Sequence, residues 1–283
     1  MIKLAAFADE ADSSFDGQIE ALKRNGIEYI EVRGLDGVNV SDISEEKAKE
    51  YAERLKEANI KVWSIGSPIG KIKISGDLDA HLEKLRHVCR LALIFGTDKI
   101  RMFSFHEAYE EKEKVFSTLS KMVEIANEYG VKLCHENEKK IYGDTLDRVL
   151  EIAEKVPGLY LVYDPANFIE VGEDPEKTLP ALHGRSEYFH IKDVIAESKT
   201  LVPAGCGNGK IDKLIEMIGD KDKVLTIEPH LKVFKGYAEI DDSVMKNKFH
   251  YNSNGEAFDA AVTALKAVIE KQGYKNVGGG YSK

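Results

Sequence analysis

The stretch from Val131 to Pro165 decides the fold, and it reads VKLCHENEKKIYGDTLDRVLEIAEKVPGLYLVYDP. Two short apolar runs within it, Val131–Glu136 and Leu159–Asp164, are typical of buried β-strands. Between these runs, apolar residues recur at the spacing of one helix face, at Leu146, Val149, Leu150 and Ala153. A strand, a helix and a second strand in this order predict a βαβ unit, whose strands are parallel and whose crossover is right-handed.

The same alternation continues through the rest of the chain in both directions. Helical patterns separate the apolar runs, and the sixth pattern is the weakest, since only Pro175 to Leu182 could supply a short helix there, with proline in its first turn. Strands are predicted at Ile2–Ala8, Glu28–Arg33, Lys61–Gly66, Lys99–Phe105, Val131–Glu136, Leu159–Asp164, Glu187–Ile191 and Lys223–Glu228.

Eight successive β-then-α units predict an α/β protein built as a single (β/α)8 TIM barrel with parallel strands, one domain over residues 1–283. An open, doubly wound sheet could use the same alternation. However, the first strand–helix junction, Phe7-Ala8-Asp9-Glu10-Ala11, lacks the glycine-rich phosphate fingerprint of such sheets. Eight units therefore favour closure into a barrel.

Helix ends and loops are also marked in the sequence. Residues 232–255, after the last strand, are polar, without a clear period and long for a βα loop, so they predict either a lid over the barrel mouth or a surface excursion. The glycine-rich tail at residues 278–280 is predicted to fray. Left-handed helix ends are predicted at Gly26, Gly96, Gly130 and Gly273, and N-caps at Ser14, Ser44 and Asp144.

Composition limits the classes of function. The net charge is −9, from 40 Lys and Arg against 49 Asp and Glu, whereas nucleic-acid binders usually carry a basic excess. No run approaches the roughly 18 apolar residues of a membrane span, and the N-terminus enters the first strand without the zones of a signal peptide. The three cysteines fit neither a disulfide framework nor a thiolate zinc site. We therefore expect a cytoplasmic protein without nucleic-acid or membrane partners, and a homo-oligomer is possible.

The chemistry of a (β/α)8 barrel lies at the C-terminal ends of its strands. There, strands five to eight offer Glu136, Asp164, His190 and Glu228 at one level of the barrel. Any one of them alone would more often be a helix cap, an ion-pair partner or a packing residue. Four together, buried side by side, would repel and lose hydration at a high cost in free energy, which a divalent cation removes. The pattern therefore predicts one metal ion held by these four residues.

The ligand types indicate which ion is held. Three hard carboxylate oxygens and one nitrogen suit an octahedral site with positions left for substrate oxygens. We predict Mn2+, with Mg2+, Co2+ and Zn2+ as alternatives.

These segments resemble the xylose-isomerase-like TIM barrel family of sugar phosphate isomerases and epimerases, within the AP endonuclease family 2 superfamily. The resemblance covers essentially the whole chain, and the order and spacing of its short motifs make it fairly specific. The motifs are Phe7-Ala8-Asp9-Glu10-Ala11, Glu31-Val32-Arg33, Ser64-Ile65-Gly66-Ser67-Pro68, Gly70-Lys71, His135-Glu136-Asn137-Glu138, Asp164-Pro165-Ala166-Asn167-Phe168, His190-Ile191-Lys192-Asp193, Val202-Pro203-Ala204-Gly205-Cys206-Gly207 and Glu228-Pro229.

The resemblance implies the same metal tetrad, and it implies Glu136 and Glu228 as the catalytic acid/base pair. Two positions depart from the ketose 3-epimerases of the family. Asn167 stands where those enzymes usually carry a histidine, and Lys192 and Asp193 stand where they carry an arginine. The additional histidines that the endonuclease IV branch uses for a trinuclear zinc cluster are also missing from the pattern.

Six further residues are candidates for substrate binding. Arg33 and Lys71 could hold an anionic group, and His106 and His230 could bind hydroxyls, although loop residues of these types are often simply solvated. The full set is Arg33, Lys71, His106, Asn167, Lys192 and His230. His135 precedes Glu136, so the strand pleat should point it to the other face, where it packs. The glycines of residues 205–209 could cradle a phosphate or could serve a tight turn.

The function predicted from these residues is a metal-dependent isomerisation or epimerisation of a sugar or sugar phosphate. Glu136 and Glu228 would exchange a proton through an enediolate of the small-molecule carbohydrate. One alternative is a dehydratase of the inosose or dehydroshikimate type, since the same enediolate can expel a β-hydroxyl as water. A non-catalytic sugar-binding barrel is the other alternative, but two bases flanking the substrate argue against it.

Overall fold

The computed structural model describes residues 1–234 and 249–283. Within them, eight parallel strands pair in chain order, and the last strand pairs with the first, from Ile2 beside Lys223 to Ala6 beside Ile227. Helices lie between the strands, so the predicted single (β/α)8 TIM barrel is confirmed. The barrel strands are β1 (Ile2–Ala6), β2 (Tyr29–Val32), β3 (Lys61–Gly66), β4 (Lys99–Met102), β5 (Lys132–Glu136), β6 (Tyr160–Tyr163), β7 (Ser186–Ile191) and β8 (Lys223–Ile227).

Helices cover the outside of the barrel, and both faces of each strand are buried as parallel sheets require. The described helices are α1 (Phe15–Arg24), α2 (Glu45–Glu57), α3 (Leu78–Phe95), α4 (Lys112–Glu128), α5 (Leu146–Lys155), α6 (Pro165–Glu170), α7 (Pro175–Leu182), α8 (Ile211–Ile218) and α9 (Asn254–Lys271). The short helix α7 matches the weakest sequence pattern, whereas α6 was not predicted.

The strands begin within one residue of their predicted starts, but several end earlier than predicted. Strand β4 ends at Met102 rather than Phe105, because the backbone leaves the sheet there. The N–H groups of Phe103 and Phe105 donate instead to the carbonyls of Ile69 and Gly70, at 2.8 and 2.9 Å. The polar residues at the mouth therefore stand on the first residues after the strands or in short loops.

Most helix boundaries follow the predicted caps. The hydroxyls of Ser14 and Ser44 accept N–H groups of α1 and α2, and the four predicted glycines have φ between 61° and 86°. The prediction for Asp144 is wrong, since Thr145 occupies the N-cap position of α5. The Asp144 carboxylate instead accepts from the Tyr109 hydroxyl at 2.6 Å and pairs with Arg148, so it is unavailable for capping.

The region after β8 contains the remaining differences. Residues 235–248 of the predicted lid lie outside the described residues, and its last two residues already belong to α9, which Ser253 caps. The tail does not fray as predicted, because Tyr281 pairs antiparallel with Ile2 and with Asn276. Among the described helices, none is long and apolar enough to cross a membrane.

Candidate active site

The four predicted ligands lie together at the C-terminal ends of β5 to β8. Each residue offers one ligand atom, and these atoms lie within 4.8 Å of one another. The Nδ1 atom of His190 is 3.1 Å from Oε1 of Glu136 and 2.9 Å from Oε2 of Glu228. All four residues are buried, at 3% exposure or less. We call Glu136, Asp164, His190 and Glu228 the tetrad.

Hydrogen bonds of Asn137 and of Asp164 itself fix the position of the Asp164 carboxylate after β6. The Asn137 side chain donates to the Asp164 carbonyl at 2.8 Å and accepts the Asp164 N–H at 2.9 Å, so it extends the strand pairing by one residue. Oδ1 of Asp164 caps α6 by accepting the N–H groups of Ala166 and Asn167. This cap leaves Oδ2 of Asp164 directed at the tetrad side. An aspartate followed by proline is a helix-start signal, and it could have revealed α6.

The tetrad is strongly perturbed electrostatically. Burial raises the pKa of Asp164 to about 7, and the neighbouring Lys192 opposes this rise. Burial alone would lower the pKa of His190, but Glu136, Glu31 and Glu228 raise it well above its usual 6.5. Burial would raise the pKa of Glu228, yet Lys192 and His190 lower it well below 4.5. The site thus concentrates negative charge around a single imidazole.

The tetrad fits a divalent cation. Oδ2 of Asp164, Nδ1 of His190 and Oε2 of Glu228 are buried and make no hydrogen bond of good geometry among the described residues, although Lys192 and the tetrad itself place opposite charges 2.9–3.1 Å away. Three carboxylates and one imidazole are the donors that Mn2+, Mg2+ or Zn2+ sites combine. A cation at their centre would coordinate these atoms and offset the repulsion between the carboxylates.

A second group of side chains faces the tetrad from the first four strands. Arg33 follows β2, and its guanidinium donates to Oε1 of Glu228 at 2.9 Å. Arg101 of β4 places Nε 3.2 Å from Oε2 of Glu136. The Phe7 ring lies under both guanidinium groups, with ring centroid distances of 4.2 and 5.4 Å. A Cβ on Gly66 would stand 2.5 Å from the Phe7 ring, so this close packing requires glycine. We call Phe7, Arg33, Gly66 and Arg101 the arginine platform.

Arg33 is in the mouth, as predicted, but the anions around it belong to the protein. Its guanidinium pairs with Asp9 at 2.9 and 3.0 Å and with Glu10 at 3.2 Å, besides Glu228. Glu10, Glu228 and His230 also form a second cluster of possible ligand atoms. Arg33 already supplies a cation to that cluster. A contact between Arg33 and substrate stays a prediction.

Three other predicted substrate residues lie against the tetrad. Nζ of Lys192 is 3.0 Å from Oδ2 of Asp164. The Asn167 amide donates to Oε1 of Glu136 at 3.2 Å, and Nε2 of His230 lies 3.4 Å from Oε1 of Glu228. All three are buried. Their positions are compatible with substrate binding, and that role stays a prediction.

The remaining two candidates contact other groups. Lys71 pairs with Glu138 at 3.0 Å, and Glu138 follows Glu136 by two residues. Nδ1 of His106 bonds the Lys140 carbonyl at 3.0 Å. His135 lies on the outer side of β5, where its buried ring bonds the Ser104 hydroxyl at 2.8 Å, as the strand pleat predicts.

The glycine segment after β7 binds an internal anion. The N–H groups of Gly205, Gly207 and Gly209 all donate to the Asp193 carboxylate, at 2.8–2.9 Å. A Cβ on Gly207 would stand 2.3 Å from that carboxylate, and Gly205 has a φ of 83°. These N–H groups therefore do not form a phosphate cradle, and the turn interpretation of the glycines is correct.

Sequence reasoning missed several residues of the mouth. Arg101, Glu138 and Phe7 were not predicted as site residues, nor was Glu31, whose carboxylate lies 3.2 Å from Nε2 of His190. A charged residue inside an apolar strand, as at Glu31 and Arg101, is the signal that could have found two of them.

Comparison with known proteins agrees with this architecture. The family model described as "Xylose isomerase-like TIM barrel" matches residues 19–243. The chain is 23% identical over 239 residues to a 3-dehydroshikimate dehydratase of Bacillus anthracis, covering 76% of this chain and 85% of that protein.

Two solved structures are similar over nearly their whole length. A D-allulose 3-epimerase from Methylomonas sp. in complex with D-allulose has a TM-score of 0.73 at 18% identity, covering 95% of this chain and 96% of that chain. The IOLI protein with a bound zinc atom has a TM-score of 0.71 at 18% identity, covering 95% and 99%.

These matches define the class of protein. The chain belongs to the xylose isomerase-like TIM barrel family. Its sequence relatives include a dehydratase. Its structural neighbours include a zinc-containing barrel and an epimerase bound to a sugar.

Proposed function

We propose that this protein is a metal-dependent isomerase or epimerase of a sugar or sugar phosphate. The observation that carries the proposal is the convergence of three buried carboxylates on one imidazole at the barrel mouth. The tetrad would hold one divalent ion, Mn2+ in preference to Mg2+, Co2+ or Zn2+. Such an ion, when bound, polarises neighbouring carbonyl and hydroxyl oxygens of a substrate.

Glu136 and Glu228 would move the proton. Each has one oxygen beside His190 and the other beside an arginine of the platform. The arginines hold the far oxygens at 2.9 and 3.2 Å, which leaves the oxygens beside His190 to face the substrate. An ionised carboxylate is the form that removes a proton from carbon. One glutamate would take the proton and leave an enediolate of the sugar. The other glutamate, or the same one, would return a proton to the adjacent carbon or to the opposite face.

The metal is tested by elemental analysis of protein that has been stripped and reloaded with Mn2+. We expect one ion per chain, and we expect Asp164→Asn and His190→Ala to weaken binding at least about a hundredfold, since each removes a direct ligand. Ser13→Ala, a change before α1, serves as a matched surface control. Unchanged metal content in both ligand variants would contradict the tetrad.

The proton transfer is tested by turnover in deuterium oxide across ketoses, aldoses and cyclic polyol ketones. Deuterium should enter the carbon next to the carbonyl. Glu136→Gln and Glu228→Gln keep the shape but remove the base, so turnover should fall about a hundredfold or more at equal metal content. Full activity in either variant, or turnover without exchange, would rule out this acid/base pair.

The curated relative supports a second candidate, a dehydratase. The same proton abstraction could be followed by loss of a β-hydroxyl as water, and the dehydratase matches 76% of the chain. A product assay separates the two reactions. Stereochemical change or carbonyl migration at constant mass supports the isomerase, and a product lighter by one water supports the lyase.

A further inference from the structure

A buried polar cluster lies one layer below the tetrad, inside the barrel. It consists of Glu31 of β2, Ser64 of β3, Tyr188 of β7 and Thr226 of β8. Glu31 is 1% exposed and the other three are fully buried. The barrel interior around them is apolar, and Val162 and Val224 pack in one cluster with Tyr188. A carboxylate in this place loses its hydration, so its retention calls for a specific set of partners.

Hydrogen bonds satisfy both oxygens of Glu31. Oε1 accepts the Tyr188 hydroxyl at 2.8 Å, and Oε2 accepts the Thr226 hydroxyl at 2.8 Å. Oε2 also lies 3.2 Å from Nε2 of His190. Because an ionised carboxylate only accepts hydrogen bonds, the His190 nitrogen that faces it has to carry a hydrogen.

The other nitrogen of His190 faces the opposite way. Nδ1 points at Oε1 of Glu136 and Oε2 of Glu228, at 3.1 and 2.9 Å. The Phe7 and Tyr188 rings pack edge-on against the imidazole, at 5.2 and 5.5 Å between centroids, and fix its plane. A neutral imidazole has one N–H and one lone pair, so the position of the hydrogen decides which nitrogen can bind a metal.

We infer that Glu31 is a positioning residue, which fixes His190 with its hydrogen on Nε2 and thereby presents the Nδ1 lone pair to the ion. This role rests on the metal site of the proposed function. It adds Glu31 as the residue that orients His190, the one nitrogen ligand of the tetrad. Carboxylates that accept the second N–H of a ligating histidine generally orient the ring and increase its basicity.

The test is the isosteric variant Glu31→Gln, measured by competition for Mn2+ and Zn2+ against a chromophoric chelator. The glutamine amide can donate to Nε2, which favours the hydrogen on Nδ1 and withdraws the ligand. We expect the Kd to rise ten- to a hundredfold. Ser64→Ala is the matched control. Ser64 lies beside Glu31 in the strand pairing, but among the described residues its hydroxyl bonds Tyr188 and makes no hydrogen bond to the Glu31 carboxylate, so the Kd should stay within about twofold.

A second measurement separates positioning from packing. In the Zn2+-loaded wild type, 15N NMR should show a hydrogen on Nε2 of His190 and a zinc-shifted Nδ1. In Glu31→Gln, the 15N chemical shift of Nε2 should move away from the value of an N–H that is hydrogen-bonded to a carboxylate. If Glu31 had a purely structural role, the variant would change only the urea unfolding midpoint. If Glu31→Gln does not fold, Thr226→Val removes one hydroxyl that holds Oε2 and should weaken metal binding several-fold.

The outcomes distinguish the two proposals. Wild-type protein that binds no divalent ion would overturn both of them. Wild-type binding with an unchanged Kd and an unchanged His190 spectrum in Glu31→Gln would overturn the role of Glu31 alone. Unchanged binding in Thr226→Val would do the same if the glutamine variant is insoluble.

Discussion

The two halves of the barrel mouth differ in charge and in what they contact. Strands β5 to β8 supply the tetrad, whose atoms converge on His190. Strands β1 to β4 supply the arginine platform, whose two guanidinium groups contact the far oxygens of Glu136 and Glu228. Each proposed catalytic glutamate is therefore shared between a ligand cluster on one side and an arginine on the other. The arginine platform therefore restrains the side chains of both glutamates that would move the proton.

Of the two platform arginines, Arg33 pairs with more carboxylates, so its removal should have the largest effect on stability. Arg33→Leu would leave Asp9, Glu10 and Glu228 buried without their cation, and this should lower the free energy of unfolding by about 3–5 kcal/mol. Arg101→Leu removes one paired carboxylate contact, that to Glu136, together with a hydrogen bond to the Ser67 carbonyl, and should cost about 1–3 kcal/mol. Urea unfolding of both variants measures the difference. Equal losses would show that the number of paired carboxylates does not determine the contribution of each arginine.

The sequence predicted the ligand half of the mouth better than the platform half. Asp, Glu and His at the ends of successive strands share few structural roles other than binding a metal ion. The sequence alone therefore predicts Glu136, Asp164, His190 and Glu228 as one set of ligands. Arginine has many uses. The sequence predicts only an external anion for Arg33, and it marks Arg101 as an ordinary strand residue.

The missing information was long-range packing. The partner of Arg33 at the mouth, Glu228, lies 195 residues further along the chain, and no local pattern records that pairing. The same applies to Glu31, which is separated from His190 by 159 residues. The overall barrel was predictable because its strands and helices follow local periodicity, and α6 was missed because six residues are too few to show a helical period.

The ligand half should also respond to pH, as should Glu10, which pairs with Arg33 of the platform and whose pKa burial raises to about 8. The pKa of His190 is raised well above 6.5 and that of Asp164 is raised to about 7, so both groups bind protons more tightly in the folded, metal-free protein than in the unfolded chain. Their contribution to stability is present at low pH and is lost as the pH rises through these folded values. We therefore expect the metal-free protein to lose stability as the pH increases above about 6.5.

Metal binding should follow the opposite trend. An ion has to displace the hydrogen from Nδ1 of His190, so its affinity should increase about tenfold per pH unit below the raised pKa. Thermal unfolding from pH 6 to 9, with and without Mn2+, measures both trends. His190→Gln should reduce the pH dependence, and the remaining part should come from Asp164 and Glu10, whose pKa values are raised to about 7 and about 8. A metal-free protein that becomes more stable with increasing pH in this range would contradict the assignment.

The smallest effect is expected at His106, which the sequence placed among the substrate-binding residues. Its ring bonds the Lys140 carbonyl at 3.0 Å, and its backbone bridges to Lys73 and Ile141 on neighbouring loops. Neither contact involves the tetrad or the platform, so His106→Ala should lose about one exposed hydrogen bond and change kcat by less than about twofold. The KM distinguishes a histidine that only holds the loop from one that binds substrate, because a histidine that binds a substrate hydroxyl lowers the KM directly. A tenfold rise in KM at unchanged kcat would show that the substrate site extends to the loop after β4.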